Sequence, residues 1–435
     1  MKTSYAIAVI GAGAAGVMAA SAAASRGARV ILIEASDRLG GAVTAAMHRS
    51  LCGLYATSPR FPADTLNDGA QRRFIERLSA RAPDFVQPKQ FGKAWVLEFP
   101  TAAYEASLAE TLSEAGVERQ MRTRIVAVRR ERSRITAIRI TNSLSPVRGG
   151  EGIGEGEAVR NIEPRSISND LRSCSQPSPR SGESEEKLGL EPKWIEVSAL
   201  IDCTGGGKVL ELVGNDAMLP DDPARRMLGG YAVRLAGLTG DMEMLRLLVP
   251  YALSQAAQKN ELPNLAAFTV FYPGPTEGEG VCKLAVQAPG TSPAAVAQFA
   301  QQTIAYLKRE VGGFAETRVV EQSASAIARD GRRLAGRYVI TVDDVLSARQ
   351  RGEHAVHAWW PMERWDPVQG PTYTYPPDGD FYDIPYDALR SAAIENLFAA
   401  GSCLSATTGA AASLRASGIC LATGDAAGRL AASID

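Results

Sequence analysis

The period of apolar and polar positions changes several times along this chain, and each change marks an element. Ile7, Val9 and Ile10 form an apolar, β-branched run that reads as a strand. It gives way to Gly11-Ala12-Gly13-Ala14-Ala15-Gly16, an Ala-rich helix, and a second strand, Arg29 to Ile33, that closes on Glu34. Residues 68–82 set Phe74, Ile75 and Leu78 on one face and arginines on the other, as in an amphipathic helix. A short strand lies around Trp95 to Phe99. Tyr104, Leu108 and Leu112 give residues 102–115 helical spacing, with Gly116 at the C-cap. Residues 117–120, 125–130 and 135–141 alternate as strands of a small meander, which resumes at Trp194 to Val197. Between these parts, 142–192 has no period and is crowded with Gly, Ser, Pro and charge. Such a segment buries too little apolar surface to offset its ordering entropy. It is expected to be a disordered insertion, a lengthened hairpin tip with no function of its own, which a fold tolerates because closure cost grows slowly with length.

Residues 199–202 then form an apolar strand that runs into Cys203-Thr204-Gly205-Gly206-Gly207. From Pro223 to Tyr386, strands at 231–235, 267–272 and 281–287 mix with helices at 241–259 and 293–311, which suits a sheet covered on one side by helices. Gly352 to Asp383 is rich in Trp, Tyr and Pro and holds two of the chain's 3 histidines. An apolar strand, 395–400, meets Gly401-Ser402, and an Ala- and Gly-rich helix over 410–432 follows.

The opening stretch carries the first chemistry. Strand, glycine turn, helix, strand and acid stand at the spacing a bound dinucleotide requires. Gly11 permits the tight turn, Gly13 lets the backbone approach a pyrophosphate, and Gly16 allows helix and strand to pack closely. Unpaired N–H groups and the positive end of the helix dipole then face the phosphates. Glu34 lies about 20 residues on, where its carboxylate accepts ribose hydroxyls and repels a 2′-phosphate.

Composition narrows the setting. At 435 residues the chain suits two domains, and 45% apolar and 22% charged residues are ordinary for a globular protein. A net charge of −1 gives no reason to expect nucleic acid or an anionic membrane surface as a partner. The 6 cysteines include no CxxC pair, which argues against a zinc or iron–sulfur site and fits a reducing cytoplasm. With so few histidines, no metal site is expected. The uncharged run from Thr3 to Ser25 superficially resembles a secretory signal or a membrane span, but the glycine fingerprint assigns its residues specific roles.

Asp37-Arg38-Leu39-Gly40-Gly41-x-x-Thr44 resembles the continuation found in flavoproteins of the glutathione-reductase type, where the arginine lies near the adenosine or pyrophosphate and the glycine pair passes beside the flavin. Ile201-Asp202-Cys203-Thr204-Gly205 resembles the second flavoprotein motif. With these, a third block resembles the bacterial FAD-dependent oxidoreductases of the FAD_oxidored family. It starts at Gly336-Arg337-Tyr338-Val339-Ile340-Thr341 and runs through Ile384-Pro385-Tyr386 and Asn396-Leu397-Phe398. It ends at Ser413-Leu414-Arg415, Thr423-Gly424 and Ala426-Ala427-Gly428. The resemblance covers about two thirds of the chain. It implies an α/β fold: a Rossmann-like FAD-binding domain of the glutathione-reductase type, interleaved with an α+β substrate domain, with the flavin ring between them. On that basis residues 1–50, 101–141, 193–222 and 387–435 belong to the FAD domain. Residues 51–100 form an excursion toward the interface, and 223–386 form the substrate domain. The expected cofactor contacts are Gly11, Ala12, Gly13, Ala14, Ala15, Gly16, Glu34, Ala35, Arg38, Gly40, Gly41, Ala42, Thr44, Ile125, Val126, Thr204, Gly205, Gly401, Ser402, Ala411 and Ala412.

The chain also departs from that family. Gly206 stands where relatives often carry an acid, and Gly401-Ser402 where they often carry Gly-Arg. A pattern like Tyr-Pro-x-Asp-x-His is here Trp360-Pro361-Met362-Glu363-Arg364-Trp365, so any role of that histidine is vacant or has moved. A flavin supplies the redox chemistry; the protein supplies position, a proton acceptor and a dry pocket. His354 and His357 are the natural proton acceptors, with Glu363 nearby and Arg415 as a clamp for a carboxylate or the flavin. Tyr373 and Tyr375 are expected to line the pocket, while Trp359, Trp360 and Trp365 form either its wall or a core patch. His48 and Cys52, just past the Gly-Gly turn, are positions where a flavin attaches covalently if it attaches at all. No second glycine fingerprint marks a nicotinamide domain. The expected activity is hydride transfer between a small organic substrate and FAD, with a separate electron acceptor or donor unidentified. The rivals are a flavin monooxygenase, suggested by Gly424-Asp425, and a non-catalytic flavin sensor.

Overall fold

A computed structural model of the chain describes residues 4–142, 192–222, 226–274, 276–288 and 290–434; the insertion expected at 142–192 lies almost wholly outside them. Its largest sheet has 7 strands. Ser4–Ile10 is central, pairing in parallel with Val30–Ile33 on one side and Lys193–Asp202 on the other. Lys193–Asp202 is long enough to serve two neighbours. Its first half pairs antiparallel with Arg134–Asn142, and its end pairs in parallel with Leu397–Ala399. The central strands are buried on both faces, as their unbroken apolar runs require. The meander is corrected in one respect. Glu118–Gln120 joins the opposite edge of the sheet, in parallel with Val30–Ile33, while Thr123–Glu131 and Arg134–Asn142 form the hairpin.

Helix Ala14–Ala24 covers one face of this sheet and packs against helix Ser417–Ala431 through glycine. A Cβ at Gly424 or Gly428 would sit 2.1 Å from the carbonyl oxygen of Ala15 or Ala19. The Gly424-Asp425 pair is therefore a packing device within a helix, its aspartate bonded to Arg429 at 2.9 Å. The closing helix expected over 410–432 is two helices, Thr408–Leu414 and Ser417–Ala431, with Arg415 at the break between them.

Residues 229–322 build a second core. Strands Val270–Pro273, Glu279–Val286, Gly229–Ala236 and Arg318–Gln322 form a 4-stranded antiparallel sheet in that order. Helices Met242–Gln258 and Pro293–Glu310 pack on it through Leu245, Val249, Leu253, Val296, Ile304 and Leu307. Asp241 caps the first of these helices, accepting from the Glu243 and Met244 N–H groups. The aromatic stretch that follows does not share this core. Val356, Trp359, Trp360, Trp365, Tyr382 and Ile384 belong to the large buried cluster that also holds the first helix and the C-terminal helix.

Candidate active site

The strand pairings bring Ile10, Ile33, Asp202 and Ala399 to one end of the parallel sheet. Gly11, Glu34, Cys203-Thr204-Gly205 and Ala400-Gly401 follow them at that end, where ligands of open parallel sheets bind. Gly11 has φ +99°, and a Cβ there would lie 2.5 Å from the Cys203 carbonyl oxygen; at Gly16 it would lie 1.7 Å from the Gly11 oxygen. Gly13 differs. The nearest atom to a Cβ there is Gly41 Cα at 3.7 Å, so that edge stands open. No side chain caps the helix that starts at Ala14, so its first N–H groups are available to an anion.

The second glycine turn lies against the first. Gly40 N–H donates to Ala12 at 2.9 Å, and the Thr44 hydroxyl closes the turn on Leu39 at 2.9 Å before the short helix that begins at Ala42. The Glu34 carboxylate accepts from Ala12 N–H at 2.7 Å and, across Ala35, from Ser36 N–H at 2.8 Å. Ile125 is buried and Val126 stands exposed where the Thr123–Glu131 strand shifts register, beside the Thr123 N–H that bonds the Glu34 carbonyl at 2.8 Å. Buried Asp202 holds the Thr204 hydroxyl at 2.7 Å and accepts from Val209 and Leu210 N–H at 2.9 and 3.1 Å; its burial raises its pKa. Gly401 takes φ +63° and donates to Thr423 at 3.2 Å, with Ser402 in the same turn and Ala411 and Ala412 on the following helix. Arg38 reaches away from the glycine turns, to Glu105 at 3.0 Å and to Glu321 of the second core at 3.3 Å. An uncapped helix start, an edge that a Cβ at Gly13 would fill, and an acid at the neighbouring strand end together fit a dinucleotide.

Between the two cores lies a polar cluster. Lys283 projects from the middle of the Glu279–Val286 strand, and its Nζ is 2.9 Å from His48 Nδ1. An ammonium only donates, so Nδ1 accepts and the ring proton sits on Nε2. Arg329 stands over the Trp365 ring, its Cζ 3.9 Å from the centroid, with Nη1 donating to the Leu228 and Gly229 carbonyls at 2.7 and 2.6 Å. Arg415, at the helix break, donates Nη2 to the Glu363 carbonyl at 2.9 Å and stands 3.6 Å from its carboxylate; its Nε is buried without a partner. Glu363 accepts from Trp365 Nε1 at 2.7 Å. The electrostatics knit the group together. Lys283 foremost, then burial, Arg329 and Arg415, hold His48 well below the usual imidazole value, so it is neutral at pH 7. Burial, helped by Arg329 and Arg49, brings Lys283 down to about 8. Burial, with Arg415, brings Arg329 to about 10, and burial pushes the Cys52 thiol up to about 12. His48 lies among these cations yet stays exposed to solvent.

The sequence model of the family described as FAD dependent oxidoreductase matches residues 6–149 and 184–434. The chain belongs to this FAD-dependent oxidoreductase family. No curated protein matches it. Among solved structures it is similar to the anhydrotetracycline hydroxylase OxyS from Streptomyces rimosus, at 15% identity and TM-score 0.43, over 77% of this chain and 54% of that one. It is also similar to CabE, an aromatic hydroxylase from angucycline biosynthesis, at 14% identity and TM-score 0.42, over 77% and 54% of the two chains. A geranylgeranyl bacteriochlorophyll reductase-like protein from Thermoplasma acidophilum matches at 11% identity and TM-score 0.39, over 78% and 68%. The matched region thus spans about half the length of the first two. FAD is the cofactor.

In this flavoprotein the candidate catalytic residues separate into two places. Glu363 and Arg415 lie in the polar cluster, with His48 and Cys52. His354 is exposed on a loop with φ +68°, its ring 6.0 Å from Tyr386. His357 pairs through Nδ1 with buried Asp383 at 2.6 Å and rests on Phe381, with Asn67 holding its backbone. Among the described interactions, none links either histidine to Glu363, Arg415 or Lys283. Trp359 is fully buried core, whereas Trp365 carries Arg329 on its face. Tyr373 lies half-exposed beside Glu363, and Tyr375 faces Trp359 at 6.3 Å. Lys283, Arg329 and Tyr272 were not singled out by the motifs. For Lys283 the signal is a charge inside an apolar strand, Val281-Cys282-Lys283-Leu284-Ala285-Val286. No group of residues among those described has the makings of a metal site, and no described helix is long and apolar enough to cross a membrane.

Proposed function

We propose that this flavoprotein is a dehydrogenase that oxidises a small organic alcohol or amine, with Lys283 Nζ as the proton acceptor. Bound FAD supplies the two-electron acceptor for the hydride that leaves the substrate carbon. The observation that carries the reading is the Lys283–His48 contact of 2.9 Å in the cleft between the two cores. A lysine at about 8 has its neutral amine within reach at working pH, as a general base must. His48 holds that amine in place through Nδ1 and is a poor proton acceptor, because a further cation beside Lys283, Arg329 and Arg415 is disfavoured. Trp365 is buried beside this cluster, and half-exposed Tyr272 and Tyr373 offer apolar faces to the substrate body.

The test is anaerobic mixing of the FAD-loaded protein with a panel of alcohols and amines. The expected result is bleaching of the flavin without any nicotinamide, at a rate that rises with pH through about 8 and loses that dependence in Lys283→Met. Flavin reduction only by a nicotinamide, followed by oxygen insertion into substrate, would replace this reading with the monooxygenase one.

A further inference from the structure

The interface carries more positive charge than its acids balance. Arg49 faces Glu98, whereas Glu363 is the carboxylate that acts on both Lys283 and Arg329 and also stands 3.6 Å from Arg415. Glu363 is itself engaged, by Trp365 Nε1 through one oxygen and by Arg415 through the other and its backbone carbonyl. Arg415 Nε is buried and closed to a ligand, so Arg415 acts on the site by its charge. The donor that stays open belongs to Arg329. Arg329 is fixed by its stack on Trp365 and by the two carbonyls on Nη1, which leaves its Nη2 edge over Gly230, where a Cβ would come to 3.5 Å. A planar guanidinium held rigid with one free edge is built to take a carboxylate.

We infer that the substrate is an organic acid. Its carboxylate sits against the free edge of Arg329 with Arg415 beside it, its body lies along Trp365, Tyr272 and Tyr373, and its oxidisable carbon faces Lys283. The inference rests on the interface being the substrate site, as proposed above. The cations themselves come from outside the nucleotide cradle: Lys283 and Arg329 belong to or adjoin the second sheet, and Arg415 to the helix break.

The experiment titrates FAD-loaded protein with acetate, benzoate and glutarate and with the matching uncharged amides, following the flavin difference spectrum and the heat of binding. At least one acid is expected to saturate both signals, with its amide weaker by about tenfold or more, the loss that follows when a charged hydrogen-bond partner is removed. Arg329→Gln is expected to weaken that acid by a similar factor while retaining FAD, and Arg329→Lys to restore only part, since an ammonium cannot present a fork. Three outcomes overturn the inference: none of the three acids binds, acid and amide bind alike, or Arg329→Gln expels FAD, which would assign the cations to the cofactor. Acid binding that persists while Lys283→Met leaves the pH profile untouched would sink only the role given to Lys283.

Discussion

Replacing Lys283 by methionine is expected to stabilise the protein at pH 7 while removing its activity. The ammonium is held from the ordinary lysine value of 10.5 down to about 8, chiefly by burial and then by Arg329 and Arg49. At 1.36 kcal/mol per pH unit that equals about 3 kcal/mol against the charged form. The cleft admits solvent, and the substitution also forfeits the bond to His48, so roughly half survives, leaving about 1–2 kcal/mol. The sign follows from proton counts. Between pH 8 and 10.5 the unfolded lysine keeps its proton and the folded one has released it, so wild-type stability rises with pH across that window. Methionine has a similar volume and no proton, so its advantage is full at pH 7 and fades toward pH 10.5. Urea denaturation of both proteins, saturated with FAD, at pH 7 and pH 10 measures the gap. A wild type more stable at pH 7, or a gap that is the same at both pH values, would refute the argument.

Turnover offers the complementary reading: kcat/KM of the wild type should rise through about pH 8, and Lys283→Met should lose about 100-fold or more with no such limb. Gly13→Ala, at φ −75° and with 3.7 Å of clearance, should fold normally and yet bind FAD at least about tenfold more weakly, because the methyl occupies the pyrophosphate edge. Gly16→Ala, which meets the Gly11 oxygen at 1.7 Å, should instead lower the thermal midpoint. Equal FAD affinity for Gly13→Ala and wild type, measured by flavin fluorescence, would show that the edge is not the cofactor's. Gly424→Val forces apart the first and last helices, against the Ala15 carbonyl at 2.1 Å, and should cost about 1–3 kcal/mol or more by denaturation.

The nucleotide half was legible because its chemistry is written in the backbone. Gly11 and Gly16 are glycine because a Cβ has nowhere to go, and Gly13 because something else must come close; all three needs act within one strand–turn–helix unit. Asp202-Cys203-Thr204-Gly205 could be read for the same local reason, although the sequence did not reveal that Asp202 staples the next helix. The proposed substrate site obeys no such rule. Lys283 and His48 are separated by more than two hundred positions, and Arg415 enters the cleft only because the expected final helix breaks at 415–416. Periodicity ran through that break, since Ala and Gly on both sides sustain a helical pattern. Reading His354 and His357 as the proton acceptors followed residue type and proximity in sequence to Glu363. The strand Ala355–Ala358 places His357 beside Asp383, beyond the described contacts of Glu363. Lys283 carries a clue of another kind, an energetic one. A charged residue inside an apolar strand must be held by something that offsets its desolvation, so Lys283 in Val-Cys-Lys-Leu-Ala-Val already announced a polar neighbour across the domain interface.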